Sequence, residues 1–327
     1  MAMISSDGRL ICWVTGAFGF IGRRVSLALA RAGHRVLGVG HGSWPATEAA
    51  AWGLDSWVNG ELNASNFHYL LEQAGLPSTI YHFAGGASVS AAIQNPLEDF
   101  RRNVIATAEL LEWVRQDSRD TKLVVASSAA IYGNQHAGPI DENTLAQPFS
   151  VYGYNKAIME SLCRSYGFNY GVRCVVARIF SVYGSGLRKQ LLWDLCTKLK
   201  LRPDVLKLAG TGEELRDWVH VDDTAQALTR LPELASREVP AINVGTGQGI
   251  SVREVAATLC AAWSTDGASP QLQFDGSARP GDPVSLIADV RRLSNVGIQA
   301  ERSFAVEAGN FVRWYKQLGA GENRGQP

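Results

Sequence analysis

The chain has 327 residues, of which 46% are hydrophobic, so it is long enough for one large core or for a main domain that carries a smaller one. Lys+Arg and Asp+Glu both number 31, which excludes a whole-chain field that would gather nucleic acid or anionic lipid. The five cysteines form no Cys-x-x-Cys pair and suit a reducing compartment as buried thiols. No basic segment with an apolar run opens the chain, and no stretch approaches the roughly 18 apolar residues of a membrane span. We therefore expect a cytoplasmic protein that does not span a membrane, and we predict no metal site.

The first half of the sequence alternates short apolar runs with amphipathic segments. The runs lie at 9–14, 34–40, 79–85, 122–128 and 172–180, and the segments that predict helices lie at 20–32, 96–116 and 151–170. Such β-α-β repetition predicts an α/β fold with a Rossmann-like, doubly wound parallel sheet. Ligands of these sheets bind at the carboxyl ends of the strands, so functional residues are expected there.

The second half has a looser pattern. After about residue 180 come loops, a helix at 187–199, a helix from 222, a strand at 241–245 and a shorter helix from 251. This order predicts a smaller C-terminal α/β substrate lobe interleaved with the last elements of the sheet. We place the nucleotide-binding domain at 1–180 plus about 217–245, and the substrate lobe at about 181–216 plus 246–320.

A glycine-rich loop follows the first predicted strand directly. A Gly-x-x-Gly-x-x-Gly loop that enters a helix offers backbone amides to a pyrophosphate at the positive end of that helix. Its position between strand and helix favours dinucleotide binding over a plain tight turn. The residues predicted to contact the cofactor here are Gly16, Phe18, Gly19, Phe20, Ile21 and Gly22.

The end of the second predicted strand bears on the choice of cofactor. An NAD-specific site needs a carboxylate there for the ribose hydroxyls, and this chain has Gly40 instead. A carboxylate would repel the 2′-phosphate of NADP, whereas Gly40 leaves room and His41 or Ser43 could donate hydrogen bonds to it. NADP is therefore the favoured cofactor, and NAD remains possible if this segment is a plain turn.

Tyr152 and Lys156 are four residues apart at the start of a predicted helix, so their side chains share one face. An ammonium and an oxidised nicotinamide beside the phenol would lower the pKa of Tyr152 and let it act as a base or an acid. Lys156 would also anchor the nicotinamide ribose. Tyr154 lacks this spacing and is assigned to the core.

Two hydroxyls, Ser127 and Ser128, stand at the carboxyl end of the strand that precedes this helix. Ser128 is predicted to hydrogen-bond the reacting oxygen, and Ser127 to lie at the cofactor. The alternative is that both serines only cap the end of the strand.

These motifs resemble, in order, those of the extended short-chain dehydrogenase/reductases. The matching segments are TGAFGFIG, HFAG, SSAAIYG, YGYNK, RIFSVYG, RDWVHVDD, NVGTG and RPGDP, spread over about residues 10 to 300. The resemblance is to the branches that act on nucleotide sugars, the 4-epimerases and the 4-ketoreductases. It implies a nicotinamide cofactor and a nucleotide-diphospho-sugar as substrate.

The resemblance also implies roles that the residues alone do not assign. The further residues it places at the cofactor are Glu61, Leu62, Ala84, Gly85 and Asn103, with Glu61 standing where the family usually has Asp. The residues it places at the nucleotide sugar, or near it, are Ser88, Phe180, Ser181, Arg216, Arg279 and Asp282, with Ser181 replacing a frequent Asn. Arginine forks suit a diphosphate. Arg188, near the entrance of a helix, could reach a phosphate or sugar, or could belong to a solvated helix end.

Departures from the family pattern narrow the reaction. The 4,6-dehydratases and decarboxylases carry acidic residues shortly after the position of Ser128. This chain has Ala129, Ala130 and Ile131 there, which disfavours dehydration and decarboxylation. Gly40 favours an NADPH-dependent 4-ketoreductase of a 4-keto hexose, and a UDP-glucose-like 4-epimerase is the alternative. A non-catalytic cofactor-sensing protein is a more distant alternative. By analogy with relatives that pair through helices around Asn103 and Lys156, we expect a homodimer.

Overall fold

The computed structural model describes residues 8–134, 136–264, 269–277 and 283–322. Its strands are β1 (Ile11–Thr15), β2 (Arg35–Gly40), β3 (Ser56–Asn59), β4 (Thr79–His82), β5 (Lys122–Ser128), β6 (Pro139–Ile140), β7 (Arg173–Ile179), β8 (Ser181–Tyr183), β9 (Val205–Leu208), β10 (Leu215–His220), β11 (Ala241–Val244), β12 (Gly249–Ser251), β13 (Gln271–Phe274) and β14 (Ser285–Ala288). Its α-helices are α1 (Phe20–Arg31), α2 (Ala46–Ala51), α3 (Ala64–Ala74), α4 (Val89–Gln94), α5 (Pro96–Phe100), α6 (Ala106–Asp117), α7 (Val151–Tyr170), α8 (Gln190–Leu199), α9 (Val221–Arg230), α10 (Val252–Trp263), α11 (Arg291–Asn295) and α12 (Phe304–Glu322). Within these described ranges, no helix is long and apolar enough to cross a membrane.

The main sheet has seven parallel strands in the order β11-β7-β5-β4-β1-β2-β3. Its strands are short apolar runs, and every residue of β1 is buried. Strands buried on both faces need helices on both sides of the sheet, which is the reason why such runs alternate with amphipathic helices along the chain. The predicted Rossmann-like α/β fold is confirmed.

The chain forms two compact units. The first contains the described residues up to 133 together with 142–179 and 224–244, and the second contains 134–141, 180–223 and the described residues from 245 onward. The observed division differs from the expected one at the described residues of 134–141 and at 217–223, which belong to the second unit. The reason is pairing, since β6 pairs with β14 and β10 forms ladders with β8, β12 and β14.

The second unit contains a sheet in the order β12-β10-β14-β6, with β8 also paired to β10, and a separate β9–β13 pair. Its core is formed by apolar side chains of α8, α10 and α12, among them Leu195, Leu259 and Phe311, all fully buried. All five cysteines of the chain are free and buried, as expected.

Three helical segments show how closely the sequence pattern located the elements. The predicted helix 151–170 coincides with α7, which begins after the Ser150 cap and ends at Gly171 with φ +73°. The predicted helix 96–116 is continuous from α5 to α6 but contains a π-helical turn at Arg101–Ile105. Helix α8 begins at Gln190, three residues later than the expected 187, because the buried Leu187 belongs to the preceding loop.

Candidate active site

The glycine-rich loop joins β1 to α1 at the carboxyl edge of the main sheet. Gly16 has φ +69°, and a Cβ built on it would lie 2.7 Å from the backbone nitrogen of Ala84. No other residue fits here without displacing the loop that follows β4. Gly19 precedes α1 in extended conformation, and no described side chain caps the first turn of that helix. Backbone N–H groups at the first turn of α1 can donate hydrogen bonds to a pyrophosphate, so the geometry of this loop is compatible with the predicted cofactor contacts at residues 16 to 22.

The expected adenosine end of the site lies where β2 ends. Gly40 has φ +149°, and a Cβ there would lie 3.1 Å from the nitrogen of Gly16, so a carboxylate side chain is disfavoured by space as well as by backbone conformation. His41 Nε2 lies 3.2 Å from Glu61 Oε1, and both side chains are exposed. Leu62 is buried in the core of the first unit.

The segment after β2 is held in place by hydrogen bonds to β3. The backbone nitrogen of Gly42 donates to Asn59 Oδ1 at 3.1 Å, and Trp57 Nε1 donates to the carbonyl oxygen of Gly42 at 3.2 Å. Ser43 therefore follows an anchored turn. The structure brings Gly40, His41 and Glu61 together at the carboxyl ends of β2 and β3, where they could contact the ribose of a bound dinucleotide or its phosphate.

Ser128, Tyr152 and Lys156 meet beside the loop that follows β4. The side chain of Ser128 lies close enough to the phenol of Tyr152 to lower its pKa. Lys156 Nζ lies 5.8 Å from the centroid of the Tyr152 ring and donates to the carbonyl oxygen of Ala126 at 2.9 Å. A Cβ built on Gly85 would lie 3.6 Å from Lys156 Nζ, so the glycine keeps this surface open. The group can hold an alcohol or ketone oxygen and exchange a proton with it.

Burial controls the protonation of these groups. Burial raises the pKa of the Tyr152 phenol to about 12, while the side chain of Ser128 lowers it and the charge of Asp99 raises it. Burial lowers the pKa of Lys156 to about 8, opposed by the charges of Asp99 and Glu160. The expectation of a lowered phenol pKa is therefore wrong for the chain by itself, because burial outweighs the other effects. The other half of that expectation, the positive charge of an oxidised nicotinamide, concerns the cofactor-bound protein.

Asn103 lies in the π-helical turn and faces the same surface. Its side chain is fully buried, its Nδ2 donates to the carbonyl oxygen of Asp99 at 3.0 Å, and its Oδ1 has no hydrogen-bond partner among the described residues. A Cβ on Gly85 would lie 2.6 Å from that oxygen. An unpaired buried acceptor at this position fits a cofactor or a water molecule that donates to it.

Other predicted residues of the first unit have structural partners. Ser127 donates to Glu160 Oε1 at 2.6 Å, and Ser88 caps α4 by accepting from the nitrogen of Ala91 at 3.4 Å. Tyr154 is 56% exposed, so its assignment to the core is wrong. Positions two apart on a helix point in opposite directions, and Tyr152 already occupies the inward one.

His82 is fixed in a buried chain of hydrogen bonds below the site. Its Nδ1 lies 2.8 Å from Thr15 Oγ1 and its Nε2 lies 2.9 Å from Thr107 Oγ1. Burial, with the nearby charge of Lys156, lowers the pKa of His82 to about 3. The imidazole is therefore neutral throughout the physiological range and connects β1, β4 and α6 as a hydrogen-bonding group.

This histidine should make the fold sensitive to acid. Between its ordinary pKa of about 6.5 and the folded value of about 3, the unfolded chain binds a proton that the folded chain does not. The stability that neutral His82 provides above pH 6.5 is thus lost as pH falls, by about 2 kcal/mol at pH 5. Urea unfolding at pH 7 and pH 5 should show this slope in the parent chain and in the exposed control His41→Asn. The difference in unfolding free energy between the two pH values should be about 2 kcal/mol smaller in His82→Asn, the remainder coming from groups such as His34 and His220 whose pKa values burial also lowers. An unchanged difference in His82→Asn would show that His82 does not cause the acid sensitivity.

The residues predicted to bind substrate in the second unit occupy β8, β10 and the loops near them. Phe180 is buried, and Ser181 opposes Trp218 in the β8–β10 ladder. Arg216 Nη1 donates to the carbonyl oxygens of Leu215 and Pro283, at 2.9 and 2.7 Å. Arg188 is exposed in the loop before α8, and Arg279 and Asp282 lie outside the described residues. Among the described residues, no cluster of side chains suits a metal ion.

Asp99 adjoins the site, although it belongs to none of the sequence motifs. The carboxylate lies four residues before Asn103 on one helix, a spacing that places both on the same face. That spacing was an available signal. What it could not supply is the partner on another helix, since Asn155 Nδ2 donates to Asp99 Oδ2 at 2.7 Å.

The sequence is similar to those of known proteins over most of its length. A model of the NAD dependent epimerase/dehydratase family matches residues 12–245. The UDP-glucose 4-epimerase of Azospirillum brasilense is 30% identical over 298 residues, which are 86% of this chain and 84% of that protein. The UDP-glucuronate 4-epimerase of Thermodesulfobacterium geofontis is 30% identical over 257 residues, 74% of this chain and 77% of that protein.

Solved structures are similar over nearly the whole chain. MoeE5 in complex with UDP-glucose and NAD has a TM-score of 0.80 at 30% identity, covering 94% of this chain and 99% of that one. The UDP-glucose 4-epimerase of Thermotoga maritima with UDP-glucose has a TM-score of 0.82 at 25% identity, with the same coverage of 94% and 99%.

Proposed function

Because the chain belongs to the NAD dependent epimerase/dehydratase family, we propose that it is a 4-epimerase of a UDP-hexose that keeps its nicotinamide cofactor bound through turnover. The observation that carries the proposal is the meeting of Ser128, Tyr152 and Lys156 beside a glycine loop that fits a dinucleotide. The Azospirillum and Thermodesulfobacterium relatives are named 4-epimerases, which favours the alternative of a UDP-glucose-like 4-epimerase over the 4-ketoreductase. The proton-transfer group also argues against a non-catalytic sensor.

The chain's own residues would perform the proton chemistry at sugar C4. Ser128 would hold the oxygen on C4, and the phenolic oxygen of Tyr152 would take the hydroxyl proton as C4 is oxidised and return it after the face has been exchanged. Lys156 would bind the ribose of the cofactor and place a positive charge near the phenol. A bound nicotinamide would supply the hydride acceptor and donor.

NADP stays our prediction for the nucleotide, and its basis is position 40. Without a carboxylate, Gly40 provides neither the ribose contact of an NAD site nor its repulsion of a 2′-phosphate. His41 could donate to such a phosphate when it leaves Glu61. The solved relative MoeE5 was obtained with NAD, so the nucleotide of this chain has to be identified directly.

The test is an assay of the freshly purified protein without added cofactor. We expect UDP-glucose and UDP-galactose to interconvert to the same equilibrium from either side, and acid-denatured protein to release one nicotinamide nucleotide. Failure to interconvert these or other UDP-hexoses, together with steady consumption of NADPH in the presence of a nucleotide-4-keto-6-deoxy sugar, would overturn the epimerase and support the 4-ketoreductase. Release of NAD alone would overturn the prediction of NADP.

We assign the nucleotide diphosphate to arginines of the second unit, chiefly Arg216 and Arg279, with Asp282 at the ribose and Arg188 at a phosphate. Guanidinium groups pair with phosphate oxygens through two hydrogen bonds, which lysine cannot match. Phe180 and Ser181 follow β7 directly and are assigned to the same ligand.

A homodimer is the proposed assembly. The first unit exposes an apolar patch on α4, α5, the π-helical turn and α7. Its members are Ile93, Leu97, Ile105, Val151, Tyr154 and Ile158, each between 36% and 64% exposed. On α7 they recur at spacings of three and four and so form one stripe. A stripe of this kind is suited to pack against the same stripe of a second copy.

A charge in the patch should separate the two copies. We expect Ile158→Arg to elute and scatter light as a monomer, because the guanidinium would be buried without a partner at the interface. Leu201→Arg, at an 81% exposed leucine of the second unit, is the control and should leave the mass unchanged. A parent chain that is already monomeric at micromolar concentration would contradict the assembly.

A further inference from the structure

Asp99 is a buried carboxylate beside the proton-transfer group, and none of the sequence motifs includes it. It is 5% exposed and lies on α5, one turn before Asn103. Its Oδ2 accepts a hydrogen bond from Asn155 Nδ2 at 2.7 Å, and its backbone oxygen accepts one from Asn103 Nδ2 at 3.0 Å. Asn155 lies between Tyr152 and Lys156 on α7, so Asp99 joins α5 to the segment that carries both proton-transfer groups.

The second carboxylate oxygen points at the loop after β4. A Cβ built on Gly86 would clash with Asp99 Oδ1 and would lie 2.9 Å from Asn103 Nδ2. A Cβ built on the neighbouring Gly85 would likewise lie 2.6 Å from Asn103 Oδ1 and 3.6 Å from Lys156 Nζ. Two glycines in succession thus leave space for a carboxylate, an amide and an ammonium to lie side by side under the loop.

The charge of this carboxylate acts on both proton-transfer groups. It raises the pKa of Lys156, which burial otherwise lowers, and it raises the pKa of Tyr152. The other ionisable groups that interact with Lys156 are Glu160 and Cys163 on its own helix and His82 on β4. His82 is neutral over the physiological range. Glu160 forms a salt bridge with the buried Arg178. Asp99 is therefore the carboxylate whose charge acts on both Lys156 and Tyr152.

We propose that Asp99 is a positioning residue of the proton-transfer site, which orients the Asn155 amide between Tyr152 and Lys156 and supplies the counter-charge of the Lys156 ammonium. The inference rests on the proposed function for the reaction whose pH profile is measured, whereas the contacts of Asp99 do not depend on that function. An aspartate at this place sets the pH range in which the lysine is charged and the phenol protonated. Asparagine would preserve the hydrogen bond, because its amide oxygen can accept from Asn155, and would remove only the charge.

Asp99→Asn therefore separates the charge from the shape. We expect both limbs of the pH profile of kcat/KM for UDP-glucose to move to lower pH by about one unit, the low end of the shift that an opposite charge close to an ionisable group produces. Glu98→Gln removes the same charge from the exposed neighbour on α5 and should leave the profile in place. A profile of Asp99→Asn that falls uniformly without moving would show a structural role only and would overturn the proposal.

A rescue variant tests the placement of the charge. Asp99→Asn combined with Asn155→Asp returns one carboxylate to the same hydrogen-bonded pair with donor and acceptor exchanged. We expect its profile to move back toward that of the parent chain. A double variant whose profile coincides with that of Asp99→Asn would count against a role for charge at this position.

A readout without substrate keeps the inference separable from the proposed function. The tyrosinate absorbance of each chain, minus that of the same chain carrying Tyr152→Phe, reports the ionisation of Tyr152 alone. Asp99→Asn should lower the midpoint of this titration by about one pH unit. If no UDP-hexose is turned over, the midpoint still decides the role of Asp99, and equal midpoints with and without the carboxylate would overturn it.

Discussion

Tyr152→Phe should lose about 10²- to 10⁴-fold in the rate of UDP-hexose epimerisation, the range that a positioned general acid and base contributes. The phenol is the group of the site that can move a proton, and Ser128 alone cannot replace it because a serine hydroxyl is far too weak an acid. The ring itself contributes packing and the contact with Lys156, which phenylalanine keeps. The loss should therefore lie in kcat, with little change in the amount of nicotinamide nucleotide that copurifies.

Tyr154→Phe is the matched control for this prediction. Tyr154 loses the same hydroxyl from the same helix, two residues along, but its side chain is 56% exposed and faces away from the site. Its rate should stay within about two-fold of the parent. Equal losses in both variants would indicate a general effect on α7, and an unchanged rate in Tyr152→Phe would remove the tyrosine from the mechanism.

The order of the elements in the first unit could be predicted because its strands are short apolar runs that alternate with amphipathic helices. Strand β5 and helix α7 have the predicted bounds. The second unit was harder because its strands are very short and pair with distant partners. Pro139–Ile140, for example, forms β6 only by pairing with β14, and a strand of two residues has no periodicity to read.

The proximity of Tyr152 and Lys156 could be predicted from spacing alone, since positions four apart share a face of one helix. Their environment could not. Asp99 reaches the site through a contact between α5 and α7, and the pKa of Tyr152 follows burial, which a linear sequence does not show. The misassignment of Tyr154 has the same origin, because an aromatic residue on a buried helix suggests packing until the orientation of that helix is known.

Arg178→Met should cost about 3–5 kcal/mol of unfolding free energy, the second large effect we expect, because it removes the buried cation from the carboxylate of Glu160 and leaves it only Ser127 and the half-exposed Arg164. The two side chains are 7% and 1% exposed, and Arg178 Nη2 lies 2.8 Å from Glu160 Oε2. Burial alone would lower the pKa of Arg178, but its bond with Glu160 raises it above the ordinary value. Arg178 also donates to the phenolic oxygen of Tyr132 at 3.0 Å and to the carbonyl oxygen of Glu142 at 2.9 Å.

The loss of Arg178 should also affect the candidate active site. Ser127 donates to the same Glu160 carboxylate at 2.6 Å, and Ser128 is the next residue of the strand. Urea unfolding measures the loss, and Arg178→Met combined with Glu160→Leu should recover part of it by removing the buried charge. Arg164→Met is the control, since Arg164 lies 3.3 Å from Glu160 Oε2 but is 47% exposed, and it should cost less than about 1 kcal/mol. A loss in Arg178→Met no larger than in Arg164→Met would show that water or a neighbouring donor compensates the buried carboxylate.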